Sequence, residues 1–436
     1  MNQNRIKVLM LGWEFPPLLT GGLGQATFGI ANALAPLVDL TLIIPQKKGE
    51  PPLSQASIVG LNQVEYDDSF EILTQKKIQE NLKITYVDAS FDLYPAEQRK
   101  EILEVEKKEI EIDVKIPIAS KKKALFEEDN VYGPNTLQKV ALYAQTVAEL
   151  AKDMEFDVIH AHDWVTFPAA MKLKEETGKP IVIHVHSLET DRVDPTKLTK
   201  IFEIEQKAMV AANAIVAVSD FTKENILNKY KADPQKTYIV HNGIDEISAL
   251  PAKKKTKKNN IPKILFLGRI TRQKGPTFLV ETAVLLSSKI PNLKFVVAGI
   301  GERLRETMAY AQKRSVLNLF EFVGFLDKQK IAEIASTADA YFLPSVSEPF
   351  GLSTLEAAQA GLPVVISKQS GATEVMPNAL KADYWDTQKF ANYLYGLLTH
   401  KGLKEEIVSL NKVDLKTLTW GKASEDLHFL YQKLIS

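Results

Sequence analysis

Residues 340–367 read AYFLPSVSEPFGLSTLEAAQAGLPVVIS, and this stretch decides the fold. A short apolar run, AYFLP, ends in a loop that carries Glu348, Pro349, Phe350 and Gly351. A helix is expected to start near Ser353 and to stop at Gly361, before Pro363 opens a second apolar run. Both runs are apolar throughout rather than alternating, which marks parallel strands covered on both faces and joined by right-handed crossovers. The unit recurs along the chain. IKVLMLGW, LTLIIP, KITYVDA, FDVIHAH, PIVIHVHS, AIVAVS and TYIVHNG lie before residue 250, and KILFLGR, KFVVAG, FEFVG, AYFLPS and PVVIS after it. The fold class is therefore α/β, a doubly wound parallel sheet present twice.

At 436 residues the chain exceeds one ordinary hydrophobic core, so two domains of roughly 200 residues each are expected. The divide falls in PAKKKTKKNN, residues 251–260, whose five lysines and lack of periodicity read as a solvated linker. The organisation expected is thus a first domain over 1–250, a second over 261–419, and a C-terminal helix over 420–436. That helix places Leu427, Leu430 and Leu434 on one face and could cross back to the first domain. Residues Lys47 to Leu125 are less regular and more charged, as insertions decorating a sheet are. With 54 Lys+Arg against 54 Asp+Glu, no net charge draws the molecule to nucleic acid or to an anionic membrane. The absence of cysteine excludes disulfides, thiolate zinc sites and cysteine nucleophiles. The opening MNQNRIKVLMLGWEFPP is too short in its apolar part for a signal peptide or a membrane span, so a cytoplasmic protein with no stable membrane insertion is expected.

Ligands of open parallel sheets gather at the carboxyl ends of the strands, so the residues just after each apolar run are the candidates. After the first run, Gly21, Gly22 and Gly24 lead into a helix, where glycine permits close backbone approach and the helix N-terminus offers N–H groups to a phosphate. A tight turn is the alternative. His160 and His162 in VIHAHDW, and His184 and His186 in IVIHVHS, are four of seven histidines. Each pair stands at strand spacing, and only one member of each is expected to face a given side; hydrogen-bonding groups are expected rather than metal ligands. Asp163 and Trp164 follow as a polar contact and an aromatic plate for a sugar ring, with simple packing as the alternative for Trp164. In FLGRITRQKG, Arg269, Arg272 and Lys274 suit a diphosphate, a fork-shaped guanidinium for paired hydrogen bonds and an ammonium for compact charge. Ser353 and Glu356 have the S-x-x-E spacing of a helix capping box. Glu348 has no such local job, and a carboxylate at a strand end needs a partner, which the hydroxyls of a sugar would supply. Gly351, Leu352 and Ser353 offer N–H groups at the helix start.

These residues resemble the retaining glycosyltransferases of glycosyltransferase family 4 and the glycogen or starch synthase-like group. The resemblance covers nearly the whole chain: Glu348 to Glu356 spans an E-x7-E motif, supported by GRITRQKG, VIHAHDW, HVHS, VSDFT and HNGID in the family's order. It implies a GT-B fold, two Rossmann-like domains facing across a cleft, and hexosyl transfer from a nucleotide sugar, ADP-glucose or UDP-glucose, to a glycan, in first place an α-glucan. By the same resemblance Glu348 binds the transferred sugar, Glu356 the ribose, and Arg269 and Lys274 the diphosphate. His186 lies beside the sugar, Asp163, Gly21 and Gly22 approach the donor, and Phe350, Gly351, Leu352 and Ser353 complete its site. Trp164, Glu189 and Arg192 are expected on the acceptor side. No metal or other cofactor is implied, and no D-x-D sequence is present. One departure stands out: similar glycogen synthases have K-x-G-G where this chain has Leu19 in L-T-G-G. Other readings are a transferase of cell-surface glycans, with Lys121–Lys123 or Lys253–Lys258 near lipid, a sugar-nucleotide epimerase, or a sugar-nucleotide-binding protein without turnover.

Overall fold

In the computed structural model the described residues are 5–17, 21–49, 53, 55–63, 126, 132, 133, 135–193, 199–244 and 261–436. The run KITYVDA, most of the expected insertion, Leu19, Lys121–Lys123 and the 251–260 linker lie outside them. Thirteen strands are described. They are β1 (Lys7–Leu11), β2 (Asp39–Ile44), β3 (Ala56–Gly60), β4 (Val158–His162), β5 (Ile181–Val185), β6 (Ala214–Ala217) and β7 (Thr237–Ile239), then β8 (Lys263–Leu267), β9 (Lys294–Ala298), β10 (Phe320–Gly324), β11 (Ala340–Leu343), β12 (Val364–Ser367) and β13 (Leu380–Ala382). The helices used below are α1 (Gly22–Leu34), α2 (Glu189–Arg192), α3 (Asp220–Tyr230), α4 (Pro276–Ser287), α5 (Leu352–Gln359) and α6 (Trp420–Ile435). No helix of the described residues is long and apolar enough to cross a membrane.

One sheet has the order β3-β2-β1-β4-β5-β6-β7 and the other β10-β9-β8-β11-β12-β13, with every pairing of the second parallel. In both, the order reverses beside the first strand laid down, as in Rossmann-like folds, and the crossover there opens a crevice at the strand ends. The central strands are buried on both faces. Residues 8–11 of β1 and all of β4 and β5 are buried, and burying each large aliphatic side chain contributes about 1.5–3 kcal/mol. The edge strands β3 and β13 have no counterpart among the apolar runs. β3 is largely half-exposed and β13 has three residues, so neither writes a continuous apolar signal.

By contacts the chain forms two compact units: 1–184 with 198–215 and 427–436, and 185–197 with 216–426. Residues 185–193, inside the stretch expected to belong wholly to the first domain, therefore pack with the second unit. The C-terminal helix α6 contributes to both. Trp420 approaches Gly243, where any Cβ would lie 2.1 Å from the Trp420 nitrogen. Farther on, Leu427, Leu430 and Tyr431 are buried in the first unit.

Candidate active site

The second unit assembles a cation, a carboxylate and a helix N-terminus from the ends of β8 and β11. These strands are neighbours, so the loops that leave them run side by side. Gly275 makes the approach possible: it has φ +66°, and a Cβ there would lie 2.0 Å from the carbonyl oxygen of Pro344. Val346 N–H donates to the Gln273 carbonyl at 2.8 Å, tying loop to loop. Across this junction Lys274 Nζ forms an ion pair with Glu348 Oε2, with only 14% and 6% of the two side chains exposed. Ser345 Oγ donates to the same carboxylate oxygen at 3.2 Å. Glu348 therefore has buried partners within the protein, in addition to the sugar hydroxyls expected to meet it. A mutually neutralised pair is what makes the burial of either charge tolerable.

Gly351, at φ +97°, turns the chain into α5 in a conformation that L-residues rarely adopt, and its Cβ would crowd Glu348 Cγ at 3.2 Å. The helix begins at Leu352, with no side-chain hydrogen bond at its cap. The capping box expected of Ser353 and Glu356 is therefore not formed, because the left-handed glycine starts the helix early and leaves Ser353 inside it. Ser353 Oγ instead meets the Tyr341 hydroxyl at 2.9 Å, and Glu356 is half-buried on the same helix. The first turn directs the N–H groups of Leu352 and Ser353 outward. Phe350 is buried and stacked on His241, with ring centroids 6.0 Å apart.

Arg269 is exposed just past β8. Its charge faces Glu302, whose carboxyl burial pushes up and whose own backbone N–H and then Arg269 pull back down. His186 belongs to the second unit, and desolvation pushes its imidazole down to about 3, leaving it neutral at physiological pH. Glu189 is buried and paired with Arg192 Nε at 3.2 Å, and Arg192 Nη1 donates to Ser187 Oγ at 2.7 Å. This helical turn, α2, packs against the Arg272–Lys274 turn.

Gly21, Gly22, Asp163 and Trp164 lie in the first unit. Gly21 has extended backbone, φ −171°, with nothing within 4 Å of a Cβ, and it precedes the first turn of α1. Asp163 is buried with φ 60°, a strained conformation for a non-glycine residue, and its N–H donates to the His184 carbonyl at 3.0 Å. Trp164 is 6% exposed and packs in the core rather than presenting an open plate. The histidines require a correction. Residues two apart on a strand share a face, so His160 and His162 stand side by side, ring centroids 4.4 Å apart, with His184 directly across from His162 on β5. One ring nitrogen from each of His160, His162 and His184 lies within 4.8 Å of the others, a grouping that could hold a metal ion. His160 Nε2 and His184 Nδ1 are 3.2 Å apart, and the Tyr431 hydroxyl lies 2.6 Å from His160 Nδ1.

Several residues at the site have no role in the sequence reading. Ser219, the cap of α3, donates to the Pro349 carbonyl at 2.6 Å, and Thr222 Oγ1 donates to it at 3.2 Å. Glu374 accepts from the Asp220 and Phe221 N–H groups at 2.8 and 2.9 Å and meets His241 Nε2 at 3.1 Å. A carboxylate at a helix N-terminus satisfies orphan donors and complements the helix dipole. The S-x-x-T spacing of VSDFT marks the helix start; nothing local in it names Pro349 as the partner.

Two Rossmann-like parallel sheets, with a basic loop and a carboxylate helix start at adjacent strand ends of the second, define a GT-B glycosyltransferase. The chain belongs to the starch synthase catalytic domain family, whose pattern it matches over residues 7–238, and it matches glycosyl transferases group 1 over residues 250–409. It is 24% identical to a glycogen synthase of Mycobacterium tuberculosis over 381 residues, 86% of this chain and 80% of that protein. To an alpha-maltose-1-phosphate synthase of Mycolicibacterium smegmatis it is 32% identical over 244 residues, 50% and 61% of the two chains. Among solved structures, a sucrose-phosphate synthase from Thermosynechococcus elongatus superposes with TM-score 0.69 at 16% identity, covering 99% of each chain, a likeness of fold.

Proposed function

We propose that this glycosyltransferase moves a glucosyl unit from ADP-glucose or UDP-glucose to an α-glucan, with retention at the anomeric carbon. The observation that carries the reading is the buried Lys274–Glu348 pair beside the N-terminus of α5. Lys274 and Arg269 stabilise the charge that grows on the departing diphosphate, helped by the N–H groups of Leu352 and Ser353. These fixed cations do the work a divalent metal does in other transferases, so no metal is required. Glu348 keeps lone pairs available beyond Lys274 and orients the hydroxyls of the transferred sugar, while Glu356 holds the ribose. His186, neutral, contributes a hydrogen bond beside the sugar without adding charge.

The reaction needs no protein nucleophile. The bond from the anomeric carbon to the phosphate oxygen breaks as the acceptor oxygen bonds on the same face, and the released phosphate oxygen takes the acceptor's proton. Positioning and electrostatics then supply most of the acceleration. The glucan acceptor is supported by the likeness to a glycogen synthase. A second acceptor, a sugar phosphate, is favoured by the likeness to an alpha-maltose-1-phosphate synthase. Incubation with ADP-glucose or UDP-glucose and either oligomaltose or glucose 1-phosphate separates the two. Chain extension of oligomaltose supports the first reading; donor hydrolysis with no extension sinks it.

A further inference from the structure

We infer that Asp191 is a positioning residue for transfer, holding the Glu348 loop in register through Ser347. The inference rests on the reading of Glu348 as the residue that orients the donor sugar. Asp191 is 7% exposed and both its oxygens are engaged: Oδ2 accepts from Leu188 N–H at 2.8 Å, and Oδ1 accepts from Ser347 Oγ at 2.7 Å. Ser347, itself 9% exposed, immediately precedes Glu348. On the other side, Glu348 N–H donates to the Gln369 carbonyl and Gly371 N–H donates to the Glu348 carbonyl, both at 2.9 Å. The backbone of Glu348 is thus pinned from residue 369 to 371 on one flank and from Asp191 on the other.

Packing alone gives a poor reason for a carboxylate here. Its neighbour Arg192 is taken by Glu189, and Asp191 has no ion pair among the described residues. Burial pushes its carboxyl up, against the pull of the Leu188 N–H and then the Ser347 hydroxyl. An apolar residue of similar size would avoid that desolvation. What the carboxylate supplies is two acceptors at fixed angles, one closing the turn at Leu188 and one fixing Ser347. The same turn, α2, backs the Arg272–Lys274 segment, so one short stretch braces both members of the Lys274–Glu348 pair. A misplacement of about 1 Å at a reacting centre can cost on the order of 100-fold in rate.

The test is a kinetic double-mutant cycle of Asp191→Ala, Ser347→Ala and the pair, with kcat and donor KM measured on oligomaltose and with Glu348→Gln assayed in parallel. Each single variant should lower kcat by roughly 10- to 100-fold. The pair should fall no further than the worse single, as members of one contact do. Donor KM should move far less than kcat, since Arg269, Lys274 and the start of α5 are untouched. Ser347→Ala removes the contact without altering the buried charge, so it decides the matter should Asp191→Ala fail to fold. Unchanged kcat in Ser347→Ala, or losses that multiply in the pair, overturns the proposal. An active Glu348→Gln enzyme instead overturns the donor reading beneath it, and an inactive one beside active Asp191 and Ser347 variants overturns the positioning role alone.

Discussion

Each unit carries a buried polar cluster at its strand ends, and the two are built on opposite principles. In the second unit Lys274 and Glu348 are charged, opposed and set beside a helix N-terminus. In the first, the rings of His160 and His162 each stack on His184, and His160 is linked to the Tyr431 hydroxyl. The ion pair concentrates charge at a helix start, the setting that the proposed nucleotide-sugar donor would require. The histidine cluster joins His160 to His184 and to the Tyr431 hydroxyl, which fastens the end of α6 to β4 and β5. Buried polarity is thus opposed charge in one unit and neutral ring contacts that attach a helix in the other.

The largest expected effect comes from breaking the charged cluster. Glu348→Gln and Lys274→Ala should each lower transfer by at least about 100-fold, the scale of losing one electrostatic partner of a developing charge, with far-UV circular dichroism unchanged. Full activity in either would dissolve the contrast. Lys274→Ala also strands a buried carboxylate, so urea unfolding should show a loss of about 3 kcal/mol that Glu348→Gln lessens when combined with it. Next, Gly275→Ala should drive the β8 loop off Pro344, costing about 1–3 kcal/mol and activity together.

Tyr431→Phe sharpens the other side. It should cost about 1–3 kcal/mol in urea unfolding, the scale of an orphaned buried hydrogen-bond partner, with kcat unchanged. Chelation should alter neither rate nor melting temperature. A fall in melting temperature with EDTA, and its return with zinc, would recast the three histidines as ligands. At neutral pH the smallest change is expected from His186, whose effect shows only in the pH dependence of stability on the acid side. His186 is held at about 3, below its usual value near 6.5, so the unfolded chain binds the extra proton between those values. Stability should then fall as pH drops through that window, by up to about 1.4 kcal/mol per pH unit from this group. His186→Gln should flatten the slope, and identical slopes in the two proteins would refute the desolvation of this ring.

Much of the architecture was legible. Twin parallel sheets follow from unbroken apolar runs such as KILFL and AYFL, and the candidate residues follow from their place just beyond those runs. Two of the four edge strands escaped, because Ala56–Gly60 is mostly half-exposed and Leu380–Ala382 is too short to show a pattern. The capping box failed because S-x-x-E spacing says nothing of a left-handed glycine two residues ahead. The contacts of Asp191 and Ser219 are not legible for another reason: their partners lie 156 and 130 positions away.

The sequence by itself determined the periodicities, the strand-end chemistry and the family likeness, since each depends on residues within a turn or two of one another. Only the tertiary structure decided that Lys274 meets Glu348, 74 positions on, that residues 185–193 pack with the second unit, and that α6 ends on His160. Those outcomes depend on which strands lie side by side, and β8 beside β11 is a consequence of the whole sheet order rather than of any local pattern.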